Sequence, residues 1–161
     1  MPRTLGRDSA CSIARSLGVL GDSWTLLIVR ESMVAGATRF QEFREALGIA
    51  PNVLTKRLAD LVGEGLMERR TYQEPGRRAR EEYILTEAGR GLTTVLGALA
   101  DWGRTYRPRP GGTSPRFTVD DSGAPARLTF VTEDGERVSP AHLKAHRAKD
   151  TALVHKGRRS G

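Results

Sequence analysis

The sequence predicts an α+β fold: a cluster of short helices, a β-hairpin, one more long helix and a small C-terminal β-meander. Three observations lead there. Apolar residues recur at spacings of three and four up to Val62, with a glycine or a capping residue at each break. The period then changes to two over residues 66–86, where a Pro-Gly dipeptide separates two strand-like runs. After a further helical stretch, a proline- and glycine-rich segment leads to short alternating runs around an Asp-Gly dipeptide.

Ile13, Ala14, Leu17 and Leu20 share one face of a first helix over residues 9–20, which Asp8 or Ser9 can cap. Gly21-Asp22-Ser23 ends it and caps a second helix, residues 24–34, that is apolar on several sides and therefore expected at the centre of the core. Thr38 caps a third helix over residues 39–47, where Phe40, Phe43 and Leu47 align and Gly48 stops the run. Pro51 suits the first turn of a fourth helix carrying Val53, Leu54, Leu58, Leu61 and Val62 inward. Two short helices with a tight turn between them, the second presenting a polar outer face, form the pattern of a helix-turn-helix. Residues 66–72 and 80–86 form the hairpin that makes it winged. Thr86 then caps a helix whose stripe Leu92, Val95, Leu96, Leu99 and Trp102 runs towards Tyr106. That stripe exceeds what one small domain needs to bury and suggests a partner subunit.

Residues 107–114 read as a linker by composition, which divides the chain into 1–107, a connector over 108–114 and an appendage over 115–161. Residues 116–119 and 126–132 alternate like strands, whereas residues 144–161 are polar and basic and read as disorder or a short helix with a free tail.

Composition narrows the function. The chain has 161 residues, one cysteine and a formal charge of +7. That length suits one domain with an appendage, and a lone cysteine excludes an intrachain disulfide framework and paired-cysteine metal sites. Neither a secretory leader nor a membrane span is read in it, so a soluble, cytoplasmic protein with no membrane partner is expected. Sixteen basic residues face 13 acidic ones up to Pro108, and ten face six beyond it, so the excess runs along the whole chain. Such a balance favours a polyanion, with nucleic acid foremost, although the dominance of arginine over lysine also fits codon usage in a GC-rich genome. No nucleophilic triad order, phosphate-binding glycine loop or paired carboxylate stands out, and neither an enzyme nor a cofactor is expected.

Several runs then match a family in order and spacing: Cys11-Ser12-Ile13-Ala14, Gly21 to Ile28, Arg39-Phe40-Gln41-Glu42-Phe43, Asn52 to Leu58, Gly65 to Arg70, Tyr83 to Gly89, and Trp102-Gly103. Over residues 11–106 the chain resembles the HxlR family of bacterial transcription regulators, whose fold is a MarR-like winged helix. The likeness does not reach past Pro108. It implies a homodimer joined by the first and last helices of the domain and bound to a roughly palindromic double-stranded operator, most often as a repressor.

Asn52, Val53, Thr55, Lys56 and Arg57 stand on the N-terminal half of the fourth helix, where asparagine can pair with adenine and lysine or arginine with guanine. A solvated helix face is the competing reading. The resemblance gives Arg39 a phosphate contact, which the positive helix terminus would strengthen, against a simple pairing with Glu42. Arg69, Arg70, Arg77, Arg78 and Arg80 crowd the hairpin. Ion pairs with Glu68, Glu74, Glu81 and Glu82 compete with DNA for them, and Arg77 and Arg78, beside the turn, are the favoured contacts.

Cys11 begins the first helix near Arg15. The resemblance suggests a redox or electrophile sensor there, while burial as a small apolar residue in the dimer interface is the alternative. A small aromatic effector is the other regulatory route, with Trp24, Met33, Leu99, Trp102 and Tyr106 as candidate lining residues; each could equally be core. His142 and His146 have helical i,i+4 spacing, yet with His155 they read as exposed side chains and not as a metal site. The competing class is a signal-binding or protein-interaction module without DNA binding, and an RNA-binding winged helix is a further rival.

Overall fold

A computed structural model describes residues 6, 8–73, 75–76 and 78–146 of the chain. Helix α1, Ser12–Leu20, starts later than its periodicity suggests. Cys11 occupies the N-cap position without a side-chain cap, and Ser9 Oγ instead accepts from the Cys11 N–H. Helix α2, Ser23–Val34, is capped as expected by Asp22, whose Oδ1 accepts from the Trp24 and Thr25 N–H groups at 2.9 and 3.4 Å.

Helix α3 is Phe40–Leu47 and helix α4 is Pro51–Gly63. Their junction depends on Gly48, held at φ +60°, a left-handed conformation that glycine enters at little cost. Ile49 beside it is buried, and Pro51 opens α4 where the missing N–H costs nothing. Thr38 does not cap α3. The Glu42 carboxylate reaches back to the N–H groups of both Thr38 and Arg39 at 2.9 Å, satisfying two donors of the helix start together.

Strands β1, Met67–Tyr72, and β2, Arg80–Leu85, pair antiparallel from Met67 opposite Leu85 to Tyr72 opposite Arg80. The segment before α3 joins this sheet: Arg39 bridges Glu82, and the Tyr83 N–H donates to the Thr38 carbonyl at 2.7 Å. The wing is thereby fixed to the helix-turn-helix.

The helix predicted from Glu87 onward is divided at Leu92 into α5, Glu87–Gly91, and α6, Thr93–Tyr106. Thr86 caps α5 by accepting from the Gly89 N–H, and its hydroxyl donates to the Gly65 carbonyl, which locks this cap to the start of the wing. The core gathers Ile28 and Val29 of α2, Phe43 of α3, Leu54, Leu58 and Leu61 of α4, and Met67 of β1. Helix α2 packs against α1, α3, α4, α6 and β2, the central place its all-round apolar character predicts.

Beyond the linker lie two short antiparallel hairpins. Strand β3, Phe117–Thr118, pairs with β4, Pro125–Ala126, and β5, Phe130–Val131, pairs with β6, Arg137–Val138. The expected single run over residues 126–132 is divided between them, since Ala126 and Phe130 pair in different sheets. Asp134-Gly135 makes the second turn, as its dipeptide suggests. The appendage docks on α6 where Gly97 is buried: a Cβ there would lie 2.8 Å from Leu128 Cδ1 and 3.4 Å from Phe117 Cε2. Residues 147–161, the expected basic tail, lie outside the described residues.

Candidate nucleic-acid interface

Helix α4 divides its two faces cleanly. Leu54, Leu58 and Leu61 are buried, while Asn52, Thr55 and Lys56 are exposed on the N-terminal half. The Thr55 hydroxyl donates to the Pro51 carbonyl at 2.9 Å, so its oxygen remains an exposed acceptor. Lys56 reaches Asp60 at 2.7 Å one turn along, but the lysine side chain stays two-thirds exposed, and such a pair exchanges readily for a stronger anion. Val53 is half-buried and packs against the core.

Arg57, also expected on this face, is paired within the fold. Its guanidinium binds Asp22 Oδ2 at 2.8 Å and shares Asp60 Oδ2 with Lys56 at 3.3 Å, with only a quarter of the side chain exposed. Asp22 thus caps α2 with one oxygen and holds α4 with the other. The spacing within α4 places residue 57 beside residue 56 in sequence, but only the crossing of α4 over the start of α2 supplies the carboxylate.

Arg39 is exposed at the start of α3, and its guanidinium lies over the Tyr72 ring, 4.7 Å from the centroid. Tyr72 escapes the sequence reading altogether, because its role depends on β1 ending beside α3. The Arg39 and Thr38 N–H groups hold the Glu42 carboxyl below the ordinary range, with the Arg39 charge adding a smaller push. On the wing, Arg69 meets Glu81 at 3.3 Å and Arg70 pairs with Glu68, so interleaved acids do engage the basic residues along the strands. Arg78 is exposed next to the turn. Arg77 lies outside the described residues. Tyr83, on the inner part of β2, has its phenol pushed up by burial and by Glu81, against a smaller opposing effect of Arg69.

Cys11 is exposed in the single chain, at the N-terminal end of α1. The nearby Arg15 donates to the Ser9 carbonyl at 2.8 Å. The five residues expected to line an effector pocket do not come together. Met33 borders a cavity of about 470 Å³ with Tyr83, Leu85, Arg90 and Phe117, but Trp24 packs against the core elsewhere. Leu99, Trp102 and Tyr106 lie on the outside of α6, each about half exposed or more. They miss the cavity because only Leu92 and Leu96 of the stripe turn into the core, while its C-terminal part stays outside. His142 sits in a 3-10 turn and His146 in coil, both exposed, so their spacing does not place them on one helical face; His155 lies outside the described residues. No cluster of three metal-ligating side chains occurs among the described residues.

Comparison with known proteins agrees with this geometry. Residues 19–110 match the family described as HxlR-like helix-turn-helix. The HTH-type transcriptional regulator Rv3095 of Mycobacterium tuberculosis, itself uncharacterized, is 44% identical over 133 residues, covering 82% of each chain. Among solved structures, PA1607, a candidate transcription factor, superposes with a TM-score of 0.73 at 37% identity, covering 88% of this chain and 97% of its own. The redox regulator HypR in its reduced form matches with a TM-score of 0.54 at 31% identity, over 60% of this chain and 94% of its own. A likeness covering 82% or 88% of the chain cannot end at Pro108, so similarity extends into the appendage, which the sequence reading had left outside it.

Proposed function

The chain belongs to the HxlR-like helix-turn-helix family and is a transcription regulator, not an enzyme; from that premise we propose that it acts as a homodimeric repressor reading a double-stranded operator. One observation carries the DNA-reading role: an N-terminal face of α4 with Asn52, Thr55 and Lys56 exposed above a buried Leu54-Leu58-Leu61 seam, flanked by a basic wing. In this reading Asn52, Thr55 and Lys56 meet base edges, Val53 offers a methyl contact at the rim, and Arg39, Arg69, Arg77 and Arg78 meet phosphates. Arg57 positions α4 against α2. The exposed apolar residues of α1, Ile13 and Leu17, and of α6, Leu99, Trp102 and Tyr106, support the pairing of two copies. No single helix among the described residues is long and apolar enough to cross a membrane, in keeping with a cytoplasmic DNA partner. In this division residues 1–107 bind DNA and pair, 108–114 connect, and 115–161 form the appendage.

Regulation enters through Cys11. Its exposure and the likeness to HypR favour a switch in which the thiols of two protomers lose two protons and two electrons to an oxidant and form an intersubunit disulfide. A small aromatic effector in the cavity beside Met33 is the second route.

The test is a titration of a duplex carrying the promoter region beside the protein's own gene, across salt concentrations, for wild type and Cys11→Ser, with and without a thiol oxidant. A preferred site with two half-sites about one helical turn apart, and affinity that falls steeply with salt, is expected. Oxidation should release wild type alone. No binding at low salt overturns the DNA reading and leaves a signal-binding or protein-interaction module. Binding that ignores the oxidant in both proteins removes Cys11 as trigger.

A further inference from the structure

We propose that the groove between the C-terminal end of α6 and the linker binds a small anion carrying phosphate or carboxylate groups. A cavity of about 870 Å³ lies there, within the range of small-molecule sites, and its charged lining consists of Arg104, Arg107, Arg109 and Arg116, with no carboxylate among its lining residues. The Thr113 and Ser114 hydroxyls complete its polar rim.

Two of these arginines have a structural role that needs no ligand. Arg104 pairs with Asp101 and donates to Ser114 Oγ at 2.8 Å and to the Pro115 carbonyl at 3.3 Å, fastening the linker to α6. Arg107 donates to the Tyr106 carbonyl and covers the Trp102 ring at 5.1 Å. Both sit in or just past the last turn of α6, where a cation complements the helix dipole.

Arg109 and Arg116 lie beyond the helix and gain nothing from it. Among the described residues, neither side chain makes a hydrogen bond or an ion pair. Of the four guanidinium groups around this concavity only Arg104 has a carboxylate partner among the described residues, so the others repel each other, and an anion held between them converts that repulsion into attraction. Planar guanidinium forks meet phosphate and carboxylate oxygens two at a time, the geometry that favours arginine over lysine in such places. The concave shape, walled by α6 on one side and by residues 108–116 on the other, suits a compact anion better than a duplex backbone. The adjoining cavity shares Arg104 and Arg116 and adds Arg127 of the appendage, beside Asp101, the carboxylate that pairs with Arg104. A bound anion therefore holds the appendage to the helix that carries the exposed Leu99 and Trp102.

The experiment uses the full chain in calorimetric and thermal-shift titrations with inorganic phosphate, pyrophosphate and citrate, each against sodium chloride at matched ionic strength. At least one of the three should bind saturably and raise Tm where chloride does not. Arg109→Ala and Arg116→Ala should each weaken it about tenfold, the effect of losing one charge-assisted contact, and leave duplex affinity unchanged. Because neither side chain has a partner among the described residues, the unliganded variants should melt near wild type. Arg109→Lys with Arg116→Lys, which keeps the charge and removes the forks, provides a second readout and should bind severalfold more weakly than wild type. A stabilisation equal to that of chloride, binding unchanged in both alanine variants or in the double lysine variant, or loss of duplex affinity with a smaller salt slope and no small-anion binding would each overturn the proposal. The last result would assign the groove to DNA phosphates.

Discussion

Arg57 and Glu42 show how single side chains hold the helix-turn-helix in place. Arg57 is one residue from Lys56 but has a different task, since besides the Asp60 carboxylate it shares with Lys56 it reaches Asp22 at the start of α2. Arg57→Ala removes both pairs and leaves Asp22, one-third exposed, facing a gap. We expect a loss of about 1–2 kcal/mol, read by denaturant unfolding, with the cap of α2 retained because Asp22 Oδ1 still accepts its two N–H groups. Glu42 makes a pH-dependent contribution. Its carboxyl is held below the ordinary glutamate range by the backbone donors of Arg39 and Thr38, so the ionised form is the one the native state favours. The stabilisation is complete above the ordinary glutamate pKa and disappears as pH falls through the lowered native value. The stability gap between wild type and Glu42→Gln should therefore be open at neutral pH and close in strong acid; a gap independent of pH would contradict the assignment.

At the scale of elements, α4 and the wing should fail differently. Lys56→Ala, on the helix, is expected to change which sequences are preferred, costing about 1–3 kcal/mol at the affected base pair. Arg78→Ala, beside the wing turn, should weaken all duplexes alike and lower the salt slope by about one. A selection experiment on randomised sites combined with salt titration separates the two; equal and negligible effects would sink both roles. The wing itself depends on Gly89 of α5. A Cβ there would lie 2.1 Å from the Leu66 carbonyl oxygen, the atom that accepts from the Thr86 N–H. Gly89→Ala must displace backbone at the root of the hairpin, and we expect about 1–3 kcal/mol of destabilisation by thermal unfolding.

At the scale of the whole molecule, the single chain leaves apolar side chains in the open that the proposed pairing of two copies would cover. Ile13, Leu17, Leu99, Trp102 and Tyr106 remain exposed, and the Trp102 and Tyr106 rings lie tilted against each other with centroids 5.7 Å apart. Trp102→Glu puts a charge where a second copy would bury an indole. Sedimentation should then show a monomer, and operator affinity should fall about 100-fold or more as the advantage of two linked half-sites is lost. An intact dimer would move the interface off α6.

The residues carried much of this fold in their order alone. The apolar spacings of three and four, the Asp22 and Thr86 caps, Gly48 before Pro51 and the Pro-Gly turn are legible because they act through hydrogen bonds and contacts between residues at most a few positions apart. The polar outer face of α4 was legible for the same reason, as the complement of its Leu54-Leu58-Leu61 seam. Tertiary structure alone decided what each charged or aromatic side chain meets. Arg57 finds Asp22 35 positions away, Arg39 finds Tyr72 across the wing, Leu128 finds the bare backbone of Gly97, and Arg116 joins Arg104 around one groove. Such encounters depend on how helices cross and strands register, and long side chains reach equally well towards several partners until packing chooses one.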